Sequence, residues 1–131
     1  MDVLTLVLTR DPKTFQTIRE GLAASSTEGG ELVEDSADAV VRLCNPKKVR
    51  PRLAFVDLAT VPDGARFIDF VKGSPSIRPT FVAAITETPS GESAVFAKGV
   101  GAQVLTKPVS AKEAARIAAL VNSEKRGPLA A

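Results

Sequence analysis

Histidine is missing from the whole chain, and cysteine occurs once, at Cys44. The first absence removes histidine metal ligands and every His-based catalytic triad together. The second excludes an internal disulfide framework and suits a reducing, cytoplasmic compartment. No stretch approaches the run of about 20 apolar residues that a membrane-spanning helix requires. The opening apolar run, Val3 to Leu8, is too short for a signal-peptide core and closes on Arg10-Asp11-Pro12. A dominant charge is lacking too: 17 basic against 15 acidic residues leave +2, which implies neither nucleic acid nor membrane as a default partner. There is no internal repeat, no low-complexity linker and no cofactor fingerprint. Gly99-Val100-Gly101 follows a helical pattern and precedes a strand, the reverse of the order in a phosphate-cradling loop.

What is present is alternation. A chain of 131 residues, 44% hydrophobic and 24% charged, fits one domain with a core of its own. Val3 to Leu8, Leu53 to Asp57 and Thr80 to Thr86 are apolar runs of the kind that strands buried on both faces show. Glu31 to Glu34 and Gln103 to Thr106 read as shorter strands. Between them lie helical patterns. Asp11-Pro12 caps the first, which places Phe15, Ile18 and Leu22 inward. Asp35 or Ser36 caps a second carrying Val40, Val41 and Leu43. Gly64 to Gly73 carries Phe67, Phe70 and Val71. Thr88-Pro89-Ser90 caps a fourth with Val95 and Phe96, of which Phe96 reads as core, and Ser110 to Glu113 is a capping box for a fifth through Val121, with Ala114, Ile117, Ala118 and Val121 inward. Five such strand–helix units predict an α/β fold: a single (βα)5 flavodoxin-like three-layer sandwich on a five-stranded parallel sheet. The domain is expected over residues 1–122, with 123–131 a flexible tail.

In open parallel sheets, sites form beyond the carboxyl ends of the strands. Three strands here end in polar residues: Asp57, Thr86 and, after the fifth, Lys107. If their strands are neighbours, a carboxylate, a hydroxyl and an ammonium meet on one edge. Such a set suits an acyl phosphate, with Asp57 as nucleophile, Lys107 paired with phosphoryl oxygens and Thr86 donating a hydrogen bond. The basic loop from Asn45, with Lys47, Lys48, Arg50 and Arg52, lies at the opposite end of the sheet. It lacks interleaved aromatic residues and reads as a solvated loop, so nucleic acid is an unlikely partner.

Asp57, Thr86 and the Lys107-Pro108 dipeptide, each at the end of its strand, resemble the response-regulator receiver domain of the CheY-like superfamily over about residues 2–122. The resemblance implies a signalling domain, not an enzyme, in a two-component or phosphorelay pathway. Asp57 would be the phosphoacceptor, Thr86 the switch hydroxyl and Lys107 the phosphoryl-binding cation. A histidine kinase or phosphotransfer protein would be the phosphoryl source, and the face formed by the fourth helix, fifth strand and fifth helix would bind a protein partner. The family holds Mg²⁺ with an acidic pair after the first strand. That pair falls on Thr9 and Arg10 here, and Asp11 remains as a weak metal ligand. Val104 stands at the family's aromatic switch position, and Glu87 follows the switch hydroxyl. The missing pair points to an atypical receiver, with Arg10 expected to pair with Asp57 in place of the metal. The alternative is a phosphorylation-independent pseudo-receiver adaptor.

Overall fold

In a computed structural model, which describes residues 4–25, 30–77 and 79–126, five strands and five helices alternate along the chain. They are β1 (Thr5–Leu8), α1 (Pro12–Ala24), β2 (Glu31–Val33), α2 (Ser36–Cys44), β3 (Leu53–Asp57), α3 (Gly64–Gly73), β4 (Phe81–Thr86), α4 (Glu92–Gly99), β5 (Gln103–Thr106) and α5 (Ala111–Arg126). All strand pairs are parallel, and the sheet order is β2-β1-β3-β4-β5. The (βα)5 three-layer architecture is the expected one. Among the described residues, no helix is long and apolar enough to cross a membrane.

Strand alternation divides the core into two layers. Leu6, Leu8, Ala54, Val56, Val82 and Ala84 face α2, α3 and α4, where Leu43, Phe67, Ile68, Val71 and Ala97 meet them. Val7, Leu53, Phe55, Ala83 and Ile85 face the other way, against Ile18 and Leu22 of α1 and Ala114, Ile117, Ala118 and Val121 of α5. The inward faces expected for α1 and α5 are those observed, except that Phe15 is half-buried. On this second side the helices approach closely. A side chain at Gly21 would meet the Ala111 carbonyl, the Ala114 Cβ at 2.7 Å and the Ala115 nitrogen at 3.0 Å.

Local capping follows the sequence in most places. Asp11 caps α1 through the Lys13 amide and Asp35 caps α2 through the Asp38 amide. Ser110 and Glu113 form the reciprocal box, with bonds of 3.1 and 3.3 Å. Helix α4 differs: its N-cap is Gly91, with no side-chain cap, because Thr88 to Gly91 closes a turn of its own through the Gly91 amide and Thr88 carbonyl. Its register differs as well. Ala94 and Ala97 are buried, so Val95 (59% exposed) and Phe96 (38%) point outward, contrary to the core role expected of Phe96. Val41 on α2 is likewise exposed. Helix α5 continues to Arg126, beyond the expected end at Val121, so residues 123–126 are helical. Residues 127–131 of the anticipated tail, Val3 of the first strand and 26–29 of the loop before β2 lie outside the described residues.

Candidate functional site

The carboxyl edge of the sheet gathers side chains because β1, β3, β4 and β5 are consecutive neighbours there. Asp57, the last residue of β3, is fully buried (0% exposed). Its Oδ2 accepts three bonds: from the Thr9 hydroxyl at 2.7 Å, the Thr60 hydroxyl at 2.9 Å and the Lys107 ammonium at 3.1 Å. Its Oδ1 accepts from the Ala59 amide at 3.1 Å. Both hydroxyls are fixed in direction. Thr9 Oγ1 accepts from the Asp11 amide (3.0 Å) and Thr60 Oγ1 from the Arg10 amide (3.0 Å), so each spends its proton on Asp57.

Lys107 follows β5, and its ammonium also reaches Asp11 Oδ2 at 3.2 Å, bridging two carboxylates. Burial pulls the Lys107 pKa down, but hydrogen bonds and charge attraction from Asp57 and Asp11 outweigh it and leave it raised. The Asp11 carboxyl is held below its usual range, chiefly by the Thr14 hydroxyl at 2.7 Å, against a burial cost and with help from Lys107 and the Lys13 amide. One residue is therefore both helix cap and counter-ion.

Two predicted residues direct their side chains to partners other than Asp57, although the Thr86 carbonyl accepts from the Lys107 amide at 2.8 Å. The expected Arg10–Asp57 pair is not formed. Arg10 is exposed, and its Nε donates 2.8 Å to the Glu34 carbonyl at the β2–α2 turn. Its amide bond to Thr60 sets the backbone so that Thr9, not Arg10, faces Asp57. Thr86 ends β4 on the alternate face from Ile85, the residue paired with Asp57. Its hydroxyl donates to the Thr88 carbonyl at 3.2 Å and accepts from the Thr88 amide at 3.0 Å. Thr60 was not foreseen. The signal was an Asp followed three residues later by Thr in a turn, a spacing at which hydroxyl and carboxylate commonly bond.

A divalent cation does not suit these residues. Mg²⁺ demands oxygen lone pairs in near-octahedral array. Here the two carboxylates share an ammonium, and both hydroxyls point their protons at Asp57. Among the described residues no group of three His, Cys, Asp or Glu side chains is placed to hold a metal ion. Beside the cluster opens a cavity of about 570 Å³ lined by Asp11, Lys13, Thr14, Glu87, Lys107 and Val109, among others.

No protein-family model matches the sequence, and no curated protein sequence matches it. Solved structures do. A two-component response regulator from Legionella pneumophila superposes with a TM-score of 0.77 at 20% identity, covering 92% of this chain and 98% of its own. The receiver domain of a signal transduction histidine kinase from Syntrophus aciditrophicus gives 0.77 at 22%, covering 96% and 95%. A chemotaxis response regulator of Vibrio cholerae gives 0.74 at 21%, covering 92% and 99%. The chain has the fold of the response-regulator receiver domain.

Proposed function

We propose that this domain is an atypical receiver of a two-component or phosphorelay pathway, a protein-docking module that works without Mg²⁺-dependent phosphorylation of Asp57. One observation carries the reading: the Lys107 ammonium bridges Asp11 and Asp57 while Thr9 donates to the same Asp57 oxygen, where an acidic pair would hold a metal. A carboxylate oxygen that accepts three donors in a fully buried position is a weak nucleophile. The partner is a histidine kinase, a phosphotransfer protein or another component of the pathway. The face proposed for docking is α4-β5-α5, whose helices expose Val95, Phe96 and Leu120 (40% exposed). On this reading the domain acts by binding a partner.

A second reading, phosphoryl acceptance on Asp57, is favoured by the 3.1 Å Lys107–Asp57 contact, since this cation would pair with an added phosphoryl group. Titration with beryllofluoride and Mg²⁺, followed by NMR of the Asp57, Thr86 and Lys107 amides, separates the two. The atypical reading expects no saturable shift at millimolar Mg²⁺. Saturation in that range would establish the second reading instead.

A further inference from the structure

The opposite end of the sheet carries an unclaimed feature. The α2–β3 and α3–β4 connections meet there and enclose a cavity of about 220 Å³ lined by Arg50, Pro51, Arg52, Ser76, Ile77, Pro79 and Thr80. Residues 45–56 and 72–86 contain no aspartate or glutamate, and among the described residues they supply Lys47, Lys48, Arg50, Arg52 and Lys72. None of these cations forms an ion pair with a carboxylate among the described residues, where the ion pairs are Arg42–Glu31 and the two made by Lys107. Arg50 is pinned at the cavity, its Nη1 donating 2.7 Å to the Ser76 carbonyl. The partly buried Lys72 ammonium has the Thr80 carbonyl at 3.3 Å, and desolvation lowers its pKa. Lys72 is outside the cavity wall, whereas Arg50 and Arg52 line it, are exposed, have no carboxylate partner among the described residues, and gain charge-assisted hydrogen bonds when an anion arrives.

The lining decides which anion fits. Phosphodiesters are gripped by donors alone or by donors with stacking aromatics. This cavity sets two guanidinium groups beside Pro51, Pro79 and the buried Ile77, with no aromatic residue in its wall. Apolar wall and planar cationic fork together match a side chain with methylene groups and a terminal carboxylate. We propose that the cavity between Arg50, Arg52 and Ile77 is a docking site for an acidic segment of a partner protein, with a glutamate or aspartate side chain seated in it. The site lies across the sheet from Asp57 and does not depend on how that residue behaves.

The test uses the full chain and a fluorescein-labelled oligoglutamate peptide at physiological salt. Anisotropy should show saturable binding, and NMR should place the largest amide shifts at Arg50, Arg52, Ser76, Ile77 and Thr80. Arg52→Glu, at an exposed position, should weaken binding about tenfold or more. The double change Arg50→Gln with Arg52→Gln should do the same while circular dichroism stays native. Unchanged affinity in Arg52→Glu, or shifts confined to other surfaces, would overturn the proposal. So would tighter retention of a random-sequence DNA duplex than of the peptide at equal ionic strength, which would make this a phosphate-binding surface.

Discussion

Lys107 links the two carboxylates of the candidate site. Among the described residues its ammonium is the one cation paired with the fully buried Asp57 carboxylate, and its own side chain is only 14% exposed. Deleting one partner of a buried pair leaves the other uncompensated, so Lys107→Met should lower unfolding stability by about 3 kcal/mol. Urea denaturation checks this; a loss under about 0.5 kcal/mol, the scatter of neutral surface changes, would mean that the bridge is not formed in solution. The pH dependence has two arms. The Lys107 pKa is raised, so its contribution is complete below the ordinary lysine value of about 10.4 and fades as pH climbs through the raised one. The Asp11 pKa is lowered, so its contribution is complete above the ordinary carboxylate value of about 3.9 and fades as pH falls through the lowered one. Lys107→Met should shrink the alkaline decline; Asp11→Asn should shrink the acid one. At this scale the sequence displayed Asp57, Lys107 and the Asp11 cap, since each sits at a strand end or helix start. Arg10 was misjudged because charge said that it should seek Asp57, whereas the chain direction after β1 is set by backbone bonds that no charge pattern displays.

Among the elements, α1 and α5 approach each other closely at Gly21. Gly21→Ala improves helix propensity by about 1 kcal/mol, but the added carbon strikes the Ala111 carbonyl and Ala114. Backbone cannot yield as a side chain tip does, so the net effect should be destabilising by about 1–3 kcal/mol. Gly73→Ala, at the end of α3 with nothing within 4 Å of the new carbon, should be neutral or stabilise by about 0.5 kcal/mol. Thermal and urea unfolding of the two variants give the comparison; equal effects would contradict the close approach. Helix α4 shows why elements are read less surely than strands. Its aromatic residue, Phe96, suggested an inward position, but Ala94 and Ala97 occupy that face, three apart and small enough for close packing on the sheet. Size misled where spacing was right.

For the molecule as a whole, β2-β1-β3-β4-β5 order sets a polarity: polar chemistry at the carboxyl edge, and at the amino end cations with no carboxylate partner among the described residues. The layer count and parallel sheet were legible because each strand–helix alternation allows only right-handed crossovers with helices on both faces. The amino-end cavity was not. Its two walls come from segments more than twenty residues apart, and a basic loop seen alone resembles any solvated turn. The lone thiol acquires a use from this arrangement. Cys44 is exposed at the last position of α2, immediately before the cationic loop begins, and no second sulfhydryl competes with it. A maleimide dye attached there would stand at the amino pole, away from the Asp57 edge, so its emission would register visitors to one pole without interference from the other.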